Sequence, residues 1–247
     1  MMHHINNTYR LAVCTAMTAL LLSAQALAAD ANKPHPHHGK VPAYVAAPPF
    51  VKLDAKDQAQ LEKGKHIMKQ IHNADGKGGG GIAVFRVQAP ANVIWQVISD
   101  FNKYPKWIKS LSTTEIYRHT GNNLWVRFII DTPFKDYEYF VKHDYRPSEG
   151  WGTWTLDYSR LSDLDDSVGY WRVYDAPGHP GMSQVEYSVN LSLGWVPGFI
   201  KNLIVDKGLE EATVWVRVQS EKRQKEHLAA ASGGSAPQGT VPAQATK

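Results

Sequence analysis

The chain is poor in cysteine, in long hydrophobic runs and in charge of one sign. Cys14 is the one cysteine among 247 residues, which excludes a disulfide framework and metal sites built from several cysteines. Beyond the N-terminus, no apolar stretch approaches the roughly 20 residues that a membrane-spanning helix needs. The net charge of +4 is too small to indicate a nucleic-acid partner. With 43% hydrophobic and 20% charged residues, the chain can still form a buried core.

The N-terminus is typical of a secretory signal peptide. Arg10 precedes the apolar stretch 11–22, and an Ala-Leu-Ala sequence that ends at Ala28 supplies the small residues of a cleavage site. The apolar stretch is too short for an uncleaved anchor. We therefore predict cleavage after Ala28 and a periplasmic or secreted mature chain that has lost Cys14.

Composition divides the mature chain into three parts. Residues 29–53 are rich in Pro, Ala and His, and residues 227–247 are rich in small and polar residues, so both segments are predicted to be flexible. A compact domain is predicted over residues 54–226. The imidazoles between His35 and His38 are able to bind a transition metal. A proline among them and the lack of a scaffold favour a solvated segment, and we predict no metal or cofactor.

Hydrophobic periodicity predicts a mixed order of helices and strands for the compact domain. Helices are predicted over residues 54–63 and 91–99, followed by a short helix that Asp100 caps and Pro105 breaks or bends, and by a long helix over residues 197–226. Predicted strands cover residues 65–72, 82–88, 113–119, 124–130, 137–145, 153–158, 168–174 and 184–191. The last six alternate between apolar and polar residues, as in an antiparallel meander whose strands have one buried and one wet face.

Motifs of several catalytic classes are absent from the sequence. Gly76-x-Gly78-x-x-Gly81 matches the dinucleotide fingerprint formally, but it precedes a strand instead of opening a helix, so a flexible hairpin loop is predicted there. No nucleophile elbow and no His-Glu-x-x-His pair occur. His143 falls in register with Tyr139 on an inward face. It is either a general base or a core histidine bonded to a hydroxyl.

Aromatic residues are concentrated in the compact domain. All eight tryptophans fall between Trp95 and Trp215, which indicates a small-molecule cavity with aromatic walls or an aromatic-rich core. Three lysines, interleaved with Tyr104 and Trp107, are typical either of a membrane-docking surface or of an ordinary solvated face. The lysines are Lys103, Lys106 and Lys109.

Three stretches carry a family resemblance. They are Ala-Pro-Ala-Asn-Val-Ile-Trp-Gln-Val-Ile-Ser-Asp-Phe-Asn-Lys-Tyr-Pro-Lys-Trp at 89–107, Asp-Thr-Pro-Phe-Lys-Asp at 131–136, and Gly-Trp-Val-Pro-Gly-Phe-Ile-Lys-Asn at 194–202 with Lys-Gly-Leu at 207–209. With the order of elements, they make residues 61–218 resemble the START-type SRPBCC superfamily, in particular its bacterial coenzyme Q-binding and polyketide cyclase-like branch. That branch often carries an Arg-Asp pair where this chain has Tyr137-Glu138.

The resemblance implies the α+β helix-grip fold, in which a curved antiparallel sheet packs around a long C-terminal helix with an apolar cavity between them. Members bind lipids, sterols, quinones or polyketides, and some catalyse cyclisation. On this fold, inward-facing strand residues would form the cavity walls, helix residues its lid, and a tryptophan would lie near its mouth. The expected ligand-binding residues are Trp107, Phe128, Ile130, Tyr139, Trp154, Tyr158, Trp171, Tyr187, Ile200, Ile204 and Gly208.

These expectations favour an exported, non-enzymatic binding or transfer protein for a lipid, an isoprenoid or a quinone, with transient membrane contact through the three lysines. Burial of each methylene would contribute about 0.8 kcal/mol to binding. One alternative is an enzyme, a polyketide cyclase or dehydratase that uses His143 or Tyr139 as an acid–base group. The other is an interaction protein of the cell envelope that uses the terminal segments and the lysines.

Overall fold

An antiparallel sheet of eight strands is the main feature of the computed structural model, which describes residues 28–72, 78–133, 135–192 and 208–233. The strand order across the sheet is β1-β2-β8-β7-β6-β5-β4-β3, so the last six strands form the predicted meander and β2 pairs with its final strand. The strands are β1 (Ile67–His72), β2 (Gly78–Val87), β3 (Leu111–Thr120), β4 (Asn123–Ile130), β5 (Tyr137–Arg146), β6 (Trp151–Leu156), β7 (Asp166–Asp175) and β8 (Ser183–Ser192).

Four helices accompany the sheet in the described part of the chain. They are α1 (Ala55–Glu62), α2 (Ala91–Ile98), α3 (Tyr104–Trp107) and α4 (Gly208–Gly233), with short 3-10 turns at Phe101–Lys103 and Pro147–Glu149. The curved sheet and the long C-terminal helix α4 confirm the helix-grip fold. Helix α4 packs against α2 and β2.

The sequence of α4 explains how it attaches to the sheet. Leu209, Thr213, Val216 and Ser220 recur every three or four residues and are all buried, which gives the helix one face directed at the protein interior. Helix α4 continues to Gly233, beyond the predicted end at residue 226. The prediction of a flexible tail is therefore wrong for residues 227–233, where alanines favour helix. Residues 193–207, which include the predicted beginning of this helix, lie outside the described residues.

The turn between α2 and β3 differs from the prediction. The Asp100 side chain makes no capping hydrogen bond. Its carboxylate instead pairs with Lys103 and Arg223, both at 2.9 Å. Pro105 does not break a helix, because it lies in the first turn of α3, where a missing N–H costs no intrahelical hydrogen bond.

The described part of the glycine-rich stretch, from Gly78 onward, forms a strand and not the predicted loop. Gly78–Gly81 begin β2 and pair with β8, and Gly79–Gly81 also pair with β1. A Cβ atom placed at Gly81 would lie 2.9 Å from Cδ2 of Leu209 on α4. The missing side chain therefore allows α4 to approach the sheet closely at this point.

The segment 29–53, predicted to be flexible from its composition, lies against the domain in the structure. Asp30 forms an isolated β-bridge with Leu161. Further along, the buried carboxylate of Asp166 accepts hydrogen bonds from the backbone N–H groups of Lys40 and Val41, at 2.6 and 2.7 Å. These contacts hold a segment that lacks regular secondary structure, and composition did not reveal them.

This segment also corrects the expectation that every strand has one wet face. On the outer face of β7, Tyr170 packs edge-on against Tyr44, and the Arg172 guanidinium lies 4.1 Å from the centre of the Phe50 ring. Arg172 also donates a hydrogen bond to the Pro48 carbonyl. The outer face of β7 is consequently buried.

Candidate functional site

A cavity of about 230 Å³ lies between the inner face of the sheet and α4. Alternation along β4, β5, β7 and β8 directs aromatic and aliphatic side chains into it, and α4 contributes Leu209, Ala212 and Trp215 from the opposite side. The cavity is thus mostly apolar, as small-molecule sites usually are.

Most of the wall residues predicted from the sheet line this cavity. They are Phe128, Ile130, Tyr139, Trp154, Trp171 and Tyr187. They pack on one another: the rings of Phe128 and Tyr139 stack with centroids 5.1 Å apart, and those of Trp171 and Tyr187 lie 4.5 Å apart.

The remaining predicted residues lie elsewhere. Trp107 stacks on Trp215, with ring centroids 5.4 Å apart, and does not line the cavity. Tyr158 is also outside the cavity, because its hydroxyl donates to Asp166 at 2.7 Å beside the N-terminal segment. Ile200 and Ile204 lie outside the described residues. Gly208 is the first described residue of α4, and only its backbone is described.

Several lining residues were missed from the sequence. Some follow α2 in the short turns, and others come from the sheet and from the loop before β7: Phe101, Tyr104, Ile108, Leu111, Val141, Tyr145, Leu164 and Ser167. Val141 and Tyr145 share the alternation that places Tyr139 inward, so this signal was available. The turn residues depend on how the connection folds over the sheet, which alternation along strands does not report.

Two polar side chains of β5 lie deep in the cavity. His143 and Tyr145 are 5% and 3% exposed, and their ring centroids are 5.0 Å apart. Within the described part of the chain, neither nitrogen of the His143 ring has a hydrogen-bond partner. The Tyr145 hydroxyl has none either. Burial lowers the pKa of His143 to about 3 and raises the pKa of the Tyr145 phenol. His143 is therefore a neutral, inward histidine, but it is not bonded to a hydroxyl.

Two other polar groups on the cavity wall have partners within the protein. The Trp154 indole N–H donates to the Ser167 hydroxyl at 3.2 Å. The Tyr104 hydroxyl donates to the Ile98 carbonyl at 2.5 Å.

The cavity has a less buried end. Ser110, Thr132 and Glu211 line it and are half-buried, and the Ser110 N–H donates to Glu211 Oε1 at 2.6 Å. Lys106 and Lys109 are exposed just before Ser110 in the chain. Lys103 is also exposed, but it pairs with Asp100.

The positions that replace the Arg-Asp pair do not supply a charge to the cavity. Tyr137 is buried outside the lining, and Glu138 accepts a hydrogen bond from Arg127 Nε at 2.5 Å. Of the charged residues among those described, only Glu211 lines the cavity.

Among the residues described, one group has the composition of a metal site: His35, His37 and Asp165. Their polar atoms are engaged with the protein. His35 Nε2 bonds the Asp165 carbonyl at 2.9 Å, and His37 Nδ1 accepts from the Gly39 N–H at 3.1 Å. Lys40 Nζ lies 2.7 Å from Asp165 Oδ1, where it supplies the positive charge that a metal would bring. We therefore interpret the group as an attachment point of the N-terminal segment.

The part of the chain that the structure describes contains no helix long and apolar enough to cross a membrane.

Several solved structures resemble this chain. A STAR-related lipid transfer protein from Xanthomonas axonopodis superposes with a TM-score of 0.51 at 17% identity, over 62% of this chain and 93% of that chain. The Zhui aromatase/cyclase from a Streptomyces species gives a TM-score of 0.49 at 14% identity, over 67% of this chain and 98% of that chain. At such identities the likeness concerns the fold alone. No curated protein sequence matches.

A family model provides the sequence-level match. The family described as polyketide cyclase / dehydrase and lipid transport matches residues 87–213, from the end of β2 into α4. The matched region contains most of the residues that line the cavity. The match spans just over half of the 247 residues. The chain therefore belongs to the family of polyketide cyclase / dehydrase and lipid transport proteins.

Proposed function

We propose that this protein is an exported, non-enzymatic carrier that binds a hydrophobic small molecule, a lipid, isoprenoid or quinone, in the cavity between sheet and helix. The observation that carries the proposal is the cavity itself, whose walls are mostly aromatic and aliphatic and which has one half-buried end. Membership of a family that includes lipid transport supports a hydrophobic ligand.

The binding energy would come from removing apolar surface from water. Each buried methylene contributes about 0.8 kcal/mol, so a ligand that places five or six such groups in the cavity gains about 4–5 kcal/mol before any polar contact. A volume of about 230 Å³ is just below the 300–1,000 Å³ typical of drug-sized ligands. The cavity therefore suits a small hydrophobe or one end of a longer one.

The two candidate acid–base residues support a carrier over a cyclase. General acid–base catalysis is most efficient when the pKa of the catalytic group is near the working pH. Burial moves the pKa of His143 down to about 3, and it moves the pKa of Tyr139 above its ordinary value. At neutral pH, His143 is thus a weak base and Tyr139 a weak acid.

Export is part of the proposal. Asp30, two residues after the predicted cleavage position, bridges to Leu161 of the domain. A cut after Ala28 would leave this bridge intact. Mass spectrometry of the mature protein from the cell envelope tests this step: a chain beginning at Ala29 is expected, and an intact N-terminus would contradict it.

Titration with the neutral fluorescent probe N-phenyl-1-naphthylamine tests the carrier function. Ala212, a lining residue of α4, and Val214, an exposed residue two positions later, provide a matched pair. We expect saturable one-to-one binding by the wild type, a tenfold or greater loss for Ala212→Phe, and no change for Val214→Phe. Equal binding by all three proteins would contradict the proposed site. Turnover of an added polyketide by the wild type would contradict the non-enzymatic function.

A further inference from the structure

Two polar side chains stand out among the described residues that line the cavity, because their side-chain nitrogen and oxygen atoms are both inaccessible to solvent and without a hydrogen-bond partner. His143 and Tyr145 project from alternate positions of β5 onto the same inner face and into the cavity. In the described structure, both imidazole nitrogens and the Tyr145 hydroxyl lack a hydrogen-bond partner although they are inaccessible to solvent. Unpaired buried groups of this kind oppose folding, so a role in binding would explain their position.

A hydrogen-bond partner for these two side chains can reach them only from the cavity, because aromatic rings surround them on the protein side. The His143 ring lies among aromatic rings: its centroid is 5.0 Å from that of Phe101, 6.1 Å from that of Trp154 and 6.3 Å from that of Phe128. The Trp154 N–H is already bonded to Ser167. The Tyr145 ring is also in contact with His143, with centroids 5.0 Å apart, but the two side chains do not form a hydrogen bond with each other.

We propose that His143 and Tyr145 form a polar subsite that binds a neutral oxygen atom of the ligand, a carbonyl or a hydroxyl. This inference rests on the proposed carrier function. A carbonyl oxygen can accept hydrogen bonds from the Tyr145 O–H and from the protonated nitrogen of a neutral imidazole. A ligand hydroxyl can in addition donate to the other imidazole nitrogen.

The charges around the cavity select a neutral ligand group. The lining contains no cationic side chain among the described residues, and its one charged member, Glu211, is an acid. A carboxylate or phosphate in the cavity would have no counter-ion, and burial of such an unpaired charge is costly. The proposed ligand is therefore an oxygenated neutral hydrophobe, such as an alcohol, a ketone or a quinone, and not a fatty acid or a phospholipid held by its headgroup.

Three ligands with one carbon skeleton test this subsite: dodecane, 2-dodecanone and dodecanoate. Their affinities are measured by displacement of N-phenyl-1-naphthylamine from the wild type, from Tyr145→Phe and from the double variant His143→Leu, Tyr145→Phe. The control is Tyr117→Phe, which removes a hydroxyl that donates to Asp157 outside the cavity. Circular dichroism establishes that each variant is folded.

We expect the wild type and Tyr117→Phe to bind 2-dodecanone about tenfold more tightly than dodecane and dodecanoate. Tyr145→Phe should reduce this preference several-fold, and the double variant should abolish it. Because Tyr145→Phe removes a single oxygen atom, it keeps the test decisive if the double variant does not fold. An unchanged preference in Tyr145→Phe, or tightest binding of dodecanoate, would overturn the subsite while leaving the carrier function intact. Failure of the wild type to bind the probe or any of the three ligands would overturn both.

Discussion

At the scale of single residues, the inner face of β5 combines stabilising and destabilising groups. Tyr139 and Val141 add apolar surface to the cavity wall, whereas His143 and Tyr145 bring polar atoms that find no partner in the part of the protein described. Such groups give up hydration without recovering a hydrogen bond, at a cost of about 1–3 kcal/mol each.

The first prediction concerns acid stability. His143 has an unfolded pKa near 6.5 and a folded pKa of about 3, so between these values the unfolded chain binds a proton that the folded chain does not. The free energy of unfolding should therefore fall as pH decreases from 6.5, by up to about 1.4 kcal/mol per pH unit, with no contribution above pH 6.5. Urea unfolding from pH 7.5 to pH 4 measures this dependence.

The variant His143→Leu isolates the histidine in that experiment. Carboxylates and the other histidines titrate in both proteins, so the difference between the wild type and the variant reports His143 alone. The variant should lose less stability than the wild type between pH 6.5 and pH 4. Parallel pH profiles would show that His143 becomes protonated in the folded protein.

The second prediction concerns Tyr145→Phe. Removing an unpaired buried hydroxyl should raise the free energy of unfolding of the empty protein by up to about 1 kcal/mol. Tyr117→Phe is the matched comparison, because the Tyr117 hydroxyl donates to Asp157 at 2.8 Å, and its removal should cost about 1 kcal/mol. If Tyr145→Phe is as destabilising as Tyr117→Phe, the Tyr145 hydroxyl has a structural partner.

The site residues that could be predicted from the sequence are those on the strands of the sheet. Alternation placed Tyr139, Trp154 and Tyr187 inward, where the structure has them. It failed for Tyr158, because β6 ends at Leu156 and the Tyr158 hydroxyl bonds Asp166. A strand pattern does not indicate where a strand ends or which distant carboxylate a hydroxyl will find.

At the scale of elements, the strands were the most predictable feature, and the segment 29–53 was the least. Each of the last six strands carries its own alternation and lies between turn residues, whereas the segment is held by contacts distant in sequence. The Val51 N–H donates to the buried Glu186 carboxylate at 3.1 Å, and Asp166 bonds the backbone around Lys40. The local composition of such a segment indicates that it lacks regular secondary structure. It does not indicate that the segment packs against the domain.

The contact between α4 and β2 gives a prediction at this scale. Leu209 occupies the space next to Gly81, so Gly81→Val should overpack the contact and lower the free energy of unfolding by about 1–3 kcal/mol. Adding Leu209→Ala should recover part of this loss, because the two changes act on the same space. Thermal and urea unfolding of the single and double variants measure the coupling. Additive effects would mean that Leu209 and Gly81 do not contact each other.

At the scale of the whole molecule, exposed charge lies near the less buried end of the cavity. Lys106 and Lys109 precede the lining residue Ser110. If the protein is the proposed carrier, we expect its ligand to pass this end on the way to or from a membrane, where each lysine near an anionic surface contributes about 1 kcal/mol to attraction. The sequence indicated the lysines, and the fold supplied their position relative to the cavity.

Sedimentation with phosphatidylglycerol vesicles tests this surface. Replacing Lys106 and Lys109 by Gln should weaken vesicle binding about tenfold or more at low salt, with little difference at high salt, where charge is screened. The control replaces two exposed lysines of α4, Lys222 and Lys225, and should bind as the wild type does. Equal binding by both double variants would refute the docking surface.

The most direct measurement of the central claim is mass spectrometry of the organic extract of the purified protein, produced from its full 247-residue sequence. The account predicts a hydrophobic molecule in near one-to-one ratio with the wild type and with Val214→Phe, and its loss from Ala212→Phe, where the added ring fills the cavity. A wild-type extract that contains no more bound molecule than the extract of Ala212→Phe would contradict the account.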